Sequence, residues 1–167
     1  MTIILVEGES DRVAVEILGA RLGLVTPPVL AIGGSKGARR AADEHAQERL
    51  LGLVDVAQRH DFERVLDTVF ICDPDLEAEF VRALGVRGVE SVIEGQRELE
   101  SFRRLQLQPA QRSQSPEQQL ARFFGGRSGN KLRYARLMAE AVPLDRVPPD
   151  RGPTRVRLRG RAHPTWL

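Results

Sequence analysis

The sequence predicts an α/β domain, a Rossmann-like parallel sheet of about four strands flanked by helices, with a helical C-terminal extension. Three observations predict it. Short aliphatic runs at Ile3 to Val6, Val29 to Ile32, Leu51 to Val54 and Val69 to Cys72 suit strands buried on both faces and are too brief for helices. Between them lie stretches whose apolar residues recur three and four apart, the helical spacing. Three of the four runs lead straight into acidic residues, at Glu7, Asp55 and Asp73, at the edge where open parallel sheets bind their ligands.

The first strand, Ile3-Ile4-Leu5-Val6, is aliphatic throughout and rich in β-branched residues. Gly8 permits a tight turn, and Ser10 or Asp11 can cap a helix starting near Arg12, which runs through Leu22 to Gly23. Thr26-Pro27-Pro28 is a turn before the second strand, Val29 to Ile32. Gly33-Gly34-Ser35-Lys36-Gly37 follows and has neither the Walker spacing nor the dinucleotide fingerprint. It reads as a tight strand-to-helix turn, with a modest phosphate contact by Ser35 or Lys36 as the other reading. Ala38 to Leu50 is expected as a helix, Leu51 to Asp55 as the third strand, Val56 to Leu66 as a short helix and Val69 to Cys72 as the fourth strand.

Leu76, Phe80, Val81 and Leu84 mark a helix ending at Gly85, and Val89 to Ile93 is read as one more short strand. Leu99, Phe102, Leu105 and Leu107 form a helix or an irregular packing segment, and Pro109 to Pro116 a polar surface linker. Helices are expected over Glu117 to Phe124 and Asn130 to Ala141, the latter packing through Tyr134, Leu137, Met138 and Ala141. The expected organisation is a core at 1–95, a helical extension packed on it at 96–145, and a basic, Pro/Arg-rich tail at 146–167.

The formal net charge of +2 conceals an asymmetry: from Glu98 onward there are 14 basic and 6 acidic residues, and before it 11 basic and 17 acidic. Basic surface attracts polyanions, and an acidic cluster tolerates them when a divalent cation intervenes. That pairing points to nucleic acid held by arginines over a metal site; a solvated basic tail is the plainer reading. No apolar run approaches the roughly 20 residues that span a bilayer, and the start lacks a signal-peptide pattern, so a cytoplasmic location without membrane insertion is expected. The single Cys72 excludes an intrachain disulfide.

Glu7, Asp55, Asp73, Asp75 and Glu77 supply hard oxygen ligands at adjoining strand ends, and such a set calls for Mg²⁺ or Mn²⁺, as one or two ions. Two ions about 3.5 to 4 Å apart serve phosphodiester hydrolysis. Zinc is not supported, because His45, His60 and His163 lack ligand spacing and Cys72 ends a buried strand. The plain reading of the acids is helix capping, by Asp11 at the first helix and by Asp73 or Asp75 at the helix after the fourth strand, and Glu9 is expected to face solvent. Lys131, at the start of a helix, either lies on the surface or offers a cation to developing phosphate charge.

Glu7-Gly8-Glu9-Ser10-Asp11, the hydrophobic strand ending in Asp55, and Asp75-Leu76-Glu77 resemble the Toprim domain of topoisomerases, primases and related nucleases. Within that group they are most similar to the Toprim part of the overcoming-lysogenization-defect (OLD) family of ATP-dependent endonucleases. The resemblance spans roughly residues 1 to 145. It implies a Toprim-like parallel sheet and two-metal cutting of DNA, with Glu7 as metal-proximal carboxylate or general base. It also implies Asp11, Asp55, Asp75 and Glu77 as ligands, and Lys131 as the basic catalytic residue. Two departures stand out. Ala57 occupies the place of the second aspartate in the family's Asp-x-Asp motif, and the ATPase motifs that precede the Toprim domain in the family are absent. The chain is therefore expected to work with a separate ATPase, or to be a fragment of a larger protein, and a homodimer would set two sites on two strands. The alternatives are a non-catalytic Toprim-like DNA-binding or regulatory partner and a receiver-like phosphoacceptor domain.

Overall fold

A computed structural model describes residues 1–66 and 68–146. Four parallel strands, β1 (Thr2–Val6), β2 (Val29–Ala31), β3 (Arg49–Asp55) and β4 (Thr68–Cys72), form one sheet in the order β2-β1-β3-β4. Between and after them run α1 (Glu9–Arg21), α2 (Ser35–Glu44), α3 (Arg59–Glu63), α4 (Leu76–Gly95), α5 (Leu99–Gln106), α6 (Pro116–Gly125) and α7 (Asn130–Ala141). The expected α/β sheet and its helical extension are both present. Residues 147–167, most of the expected tail, lie outside the described residues.

Alternating side chains of the strands feed two hydrophobic clusters. One gathers Ile3, Leu5, Val54 and Val69 with Ala38 and Ala41 of α2 and Phe62 of α3. The other joins Ala14 of α1 and Phe80, Val89 and Ile93 of α4 to Phe102, Leu120, Phe124, Tyr134 and Met138 of the extension. The extension thus packs on the core through a shared apolar interior, whose aromatic rings Phe102, Phe123 and Tyr134 meet edge to face.

Three boundaries differ from expectation. The second helix stops at Glu44, and strand β3 starts at Arg49 because residues 49 and 50 pair with Thr2 and Ile3 of β1. Helix α1 begins earlier than expected, with Gly8 at its N-cap, and Asp11 reaches back to accept the Gly8 amide at 2.9 Å. The strand expected at Val89 to Ile93 is instead helical. Helix α4 kinks at Gly85 (φ 71°, ψ 159°) and resumes to Gly95. Val89 and Ile93 are both fully buried. A spacing of four puts two side chains on one face of either a helix or a strand, so that pair could not discriminate.

The glycine-rich segment after β2 is a tight turn. Gly33 and Gly34 have φ of 70° and 90°, and both amides donate to the Glu7 carbonyl at 3.0 and 3.2 Å. A Cβ on Gly37 would stand 2.0 Å from the Ile32 carbonyl oxygen, so only glycine fits there.

Candidate functional site

In the order β2-β1-β3-β4 the chain leaves β1 towards β2 on one side, while β3 lies on the other, a topological switch point of the kind at which open α/β sheets bind ligands. Glu7 follows the last residue of β1, Asp55 is the last of β3, and Asp75 caps the helix that follows β4. The Val56 amide donates to the Pro74 carbonyl at 3.2 Å and ties the loop after β3 to the loop after β4. Helix α7 packs against α1 and α4, which carries Lys131 to the same edge.

The Lys131 ammonium lies 3.5 Å from Glu77 Oε1, on a side chain about half exposed, while the Glu77 side chain is only 8% exposed. Both Glu77 carboxylate oxygens and Glu7 Oε2 are buried without a hydrogen-bond partner. Two other acids are engaged by backbone: Asp11 accepts from Gly8, and Asp75 Oδ1 accepts from the Ala78 amide at 2.8 Å. The structure therefore joins the capping role of Asp11 and Asp75 with a place at the cleft. The Asp73 backbone is tied to α4, its amide donating to Glu79 Oε1 at 3.2 Å and its carbonyl receiving Arg82. Glu9 faces solvent and pairs with Arg12 at 2.6 Å, as expected.

The acids of the cleft act on one another. Burial, reinforced by Asp11, Glu7 and Asp75, pushes the Asp55 carboxyl up to about 6, against the pull of Lys131. Burial likewise raises Glu77 to about 7, with Lys131 opposing and Asp75 and Asp11 adding to the rise. Asp11 is raised by desolvation, partly offset by its Gly8 hydrogen bond and by Lys131. Burial works against the Lys131 ammonium, yet the attraction of Glu77, Asp55 and Asp11 outweighs it and raises its pKa. Asp11, Asp55, Glu77 and Lys131 thus share one electrostatic environment, in which negative charge exceeds the single ammonium facing it.

The fold has solved counterparts. The C-terminal region of the Xanthomonas campestris pv. campestris OLD protein, phased with platinum, superposes with a TM-score of 0.62 at 18% identity, over 88% of this chain and 86% of that one. The C-terminal region of the Burkholderia pseudomallei OLD protein gives 0.61 at 18% identity, over 88% and 91%. The chain has the Toprim-like fold of an OLD C-terminal region. No protein-family model and no curated protein matches the sequence.

The donor set of this cleft fits a hard divalent cation: it is made of carboxylates, and three of their oxygens are buried without a hydrogen bond, one of them facing the Lys131 ammonium at 3.5 Å. Among the described residues no three His, Cys, Asp or Glu side chains are already gathered around one point. Asp11 and Asp75 bond instead to backbone amides, and Glu77 pairs with Lys131. Ala57, in the short 3-10 turn after Asp55, adds no oxygen there. Cys72 is buried, its thiol pushed up to about 12 by desolvation, which suits a core residue.

One cluster escaped the sequence. Glu98 accepts the Tyr134 hydroxyl at 2.5 Å, pairs with Arg133 and lies 3.9 Å from Arg127. The only signal for it was that a buried tyrosine needs a partner for its hydroxyl. Among the described residues no helix is long and apolar enough to cross a membrane.

Proposed function

We propose that the chain is a Mg²⁺- or Mn²⁺-dependent nuclease module that hydrolyses DNA phosphodiester bonds at the switch-point cleft. One observation carries this reading: the buried carboxylate of Glu77, which faces the Lys131 ammonium at 3.5 Å, shares an electrostatic environment with Asp11 and Asp75. Glu7, Asp11, Asp55, Asp75 and Glu77 would hold one or two ions. A bound cation supplies Lewis-acid charge to the phosphate and lowers the pKa of water. The chain's own part is to exclude excess water by burying Glu77, to aim Glu7 from the end of β1, and to bring the Lys131 ammonium to the charge that develops on the phosphate.

The nuclease reading predicts that Glu7→Gln, Asp55→Asn and Glu77→Gln each abolish metal-dependent nicking of supercoiled plasmid. Unchanged cutting by all three folded variants would overturn it. Ala57 favours a second reading, a non-catalytic Toprim-like partner that binds DNA or protein. On that reading the same variants leave binding intact and the natural chain does not cut. The likeness to C-terminal regions of OLD proteins supports membership of that family and work beside an ATPase, as a separate subunit or as a domain of a longer chain. Co-purification of an ATPase with the tagged chain tests that association.

A further inference from the structure

Helices α5 and α6, with the turn leading to α7, border an open pocket of about 450 Å³. Arg104, Arg122 and Arg127 reach it, with Ser101 and Gln108 as further polar groups and Phe123 as an apolar wall; no carboxylate lines it. Arginines elsewhere on α5 and α7 are matched: Arg103 makes a two-pronged bond to Glu90 at 2.8 Å, Arg133 pairs with Glu98, and Arg136 with Glu140 at 2.9 Å. In the pocket, Arg104 and Arg122 have no such partner among the described residues. Arg127 has only a 3.9 Å contact with Glu98, whose charge is shared with Arg133 and Tyr134, and a 3.4 Å bond to Ser101. Glu100, one turn before Arg104, lines the neighbouring depression, which Arg104 borders as well. Gly126 lets the chain turn closely here, since a Cβ there would stand 3.1 Å from the Arg122 carbonyl. Three arginines line one cavity, with a single carboxylate, Glu98, beside one of them, and this set suits oxyanions, which the planar fork of arginine binds in pairs of hydrogen bonds.

The pocket is joined to the acidic cleft by a short turn. Arg127 precedes Lys131 by four residues, and the turn is closed by the Asn130 amide on the Arg127 carbonyl at 3.2 Å, with Gly129 at φ 79°. Four residues place the two Cα atoms at most about 14 Å apart, the rise of about four nucleotides of a strand, before the reach of the two side chains is added. We propose that this pocket is a phosphate-binding subsite that grips the backbone of a DNA strand within a few nucleotides of the bond held at the acidic cleft. The assignment rests on the nuclease reading above. It gives the positive charge of the extension a definite role, in which arginines hold the strand and Lys131 meets it at the cleft.

The experiment measures binding of a fluorescein-labelled 20-nucleotide DNA, single-stranded and duplex, by anisotropy in EDTA across a salt series. The Arg104→Glu/Arg122→Glu variant of the full chain should bind at least tenfold more weakly and lose about two from the slope of log K against log salt. Arg39→Glu/Arg40→Glu on α2 makes the same change of charge on another surface and should have the smaller effect. Circular dichroism melts check that both variants fold. Equal losses in the two variants, or wild-type affinity in the pocket variant, would overturn the subsite. If inorganic phosphate binds the pocket in titration calorimetry while wild-type protein ignores DNA, the site takes a free anion and the proposal falls. A pocket variant that binds and nicks normally, beside carboxylate variants that do not nick, would remove the subsite alone and leave the nuclease reading standing.

Discussion

Replacing Glu77 with glutamine should make the metal-free protein more stable at alkaline pH, although it removes a charge that faces Lys131. The Glu77 carboxyl titrates at about 7 in the fold against 4.5 unperturbed, mainly because burial disfavours its charge. Between those two values the unfolded chain ionises while the folded one keeps its proton, so stability falls as pH rises through the window and levels off above it. The attraction of Lys131 is already inside that balance. A shift of this size corresponds to about 3 kcal/mol at pH 8. At pH 5 the same comparison gives only about 1 kcal/mol, since most of the penalty has not yet developed. Glutamine keeps the shape and cannot ionise. Urea unfolding followed by far-UV circular dichroism in EDTA, at pH 5 and pH 8, reads the difference. With a urea dependence of about 2 kcal/mol per molar, the variant's midpoint should exceed wild type by roughly 1.5 M at pH 8. A variant that is less stable at pH 8, or whose advantage does not change with pH, would refute the reasoning.

Three further outcomes concern the cleft and its surroundings, and a fourth the glycine turn. Mn²⁺ should raise the thermal midpoint of the wild type at pH 8 and do so less for Glu77→Gln; equal shifts by calorimetry would place the ion elsewhere. Ala57→Asp restores an acid beside Asp55 in an exposed turn and should tighten Mn²⁺ binding several-fold in isothermal titration, roughly 1 kcal/mol per five- to tenfold. Tyr134→Phe leaves Glu98 without its phenol partner and should cost about 2 kcal/mol by urea unfolding, as for hydrogen bonds to charged groups. Gly37→Ala drives a methyl into the Ile32 carbonyl and should cost about 3 kcal/mol or prevent accumulation of folded protein, a result checked by the same unfolding curve.

The strands were legible because buried parallel strands are written as short aliphatic runs, and their acidic ends followed from that placement. The acids could be assigned to an edge because Val6, Asp55 and Cys72 each close a strand. What the sequence could not show was how those acids spend their lone pairs. Asp11 and Asp75 are tied to amides three residues away, and that competition between capping and ligand binding depends on rotamers. The position of Lys131 came from resemblance, since its approach to Glu77 depends on α7 crossing α1 and α4, a packing that no periodicity encodes. Glu98 was invisible for the same reason: its partners lie 35 and 36 residues further on. The misread strand at Val89 to Ile93 turned on a spacing that suits both kinds of element, and Gly85 hid a kink behind a stop signal.

The Glu7 carbonyl, held by two amides from Gly33 and Gly34, makes the neighbouring turn a fixture of the cleft. Those glycines contribute no reactive atom, yet their left-handed backbone decides the direction in which the chain leaves β2 and so where those two amides point. A side chain at Gly33 would therefore strain the turn and disturb the amides that hold the Glu7 backbone while leaving each carboxylate chemically whole, so that a silent pair of glycines shares in fixing where that acid stands.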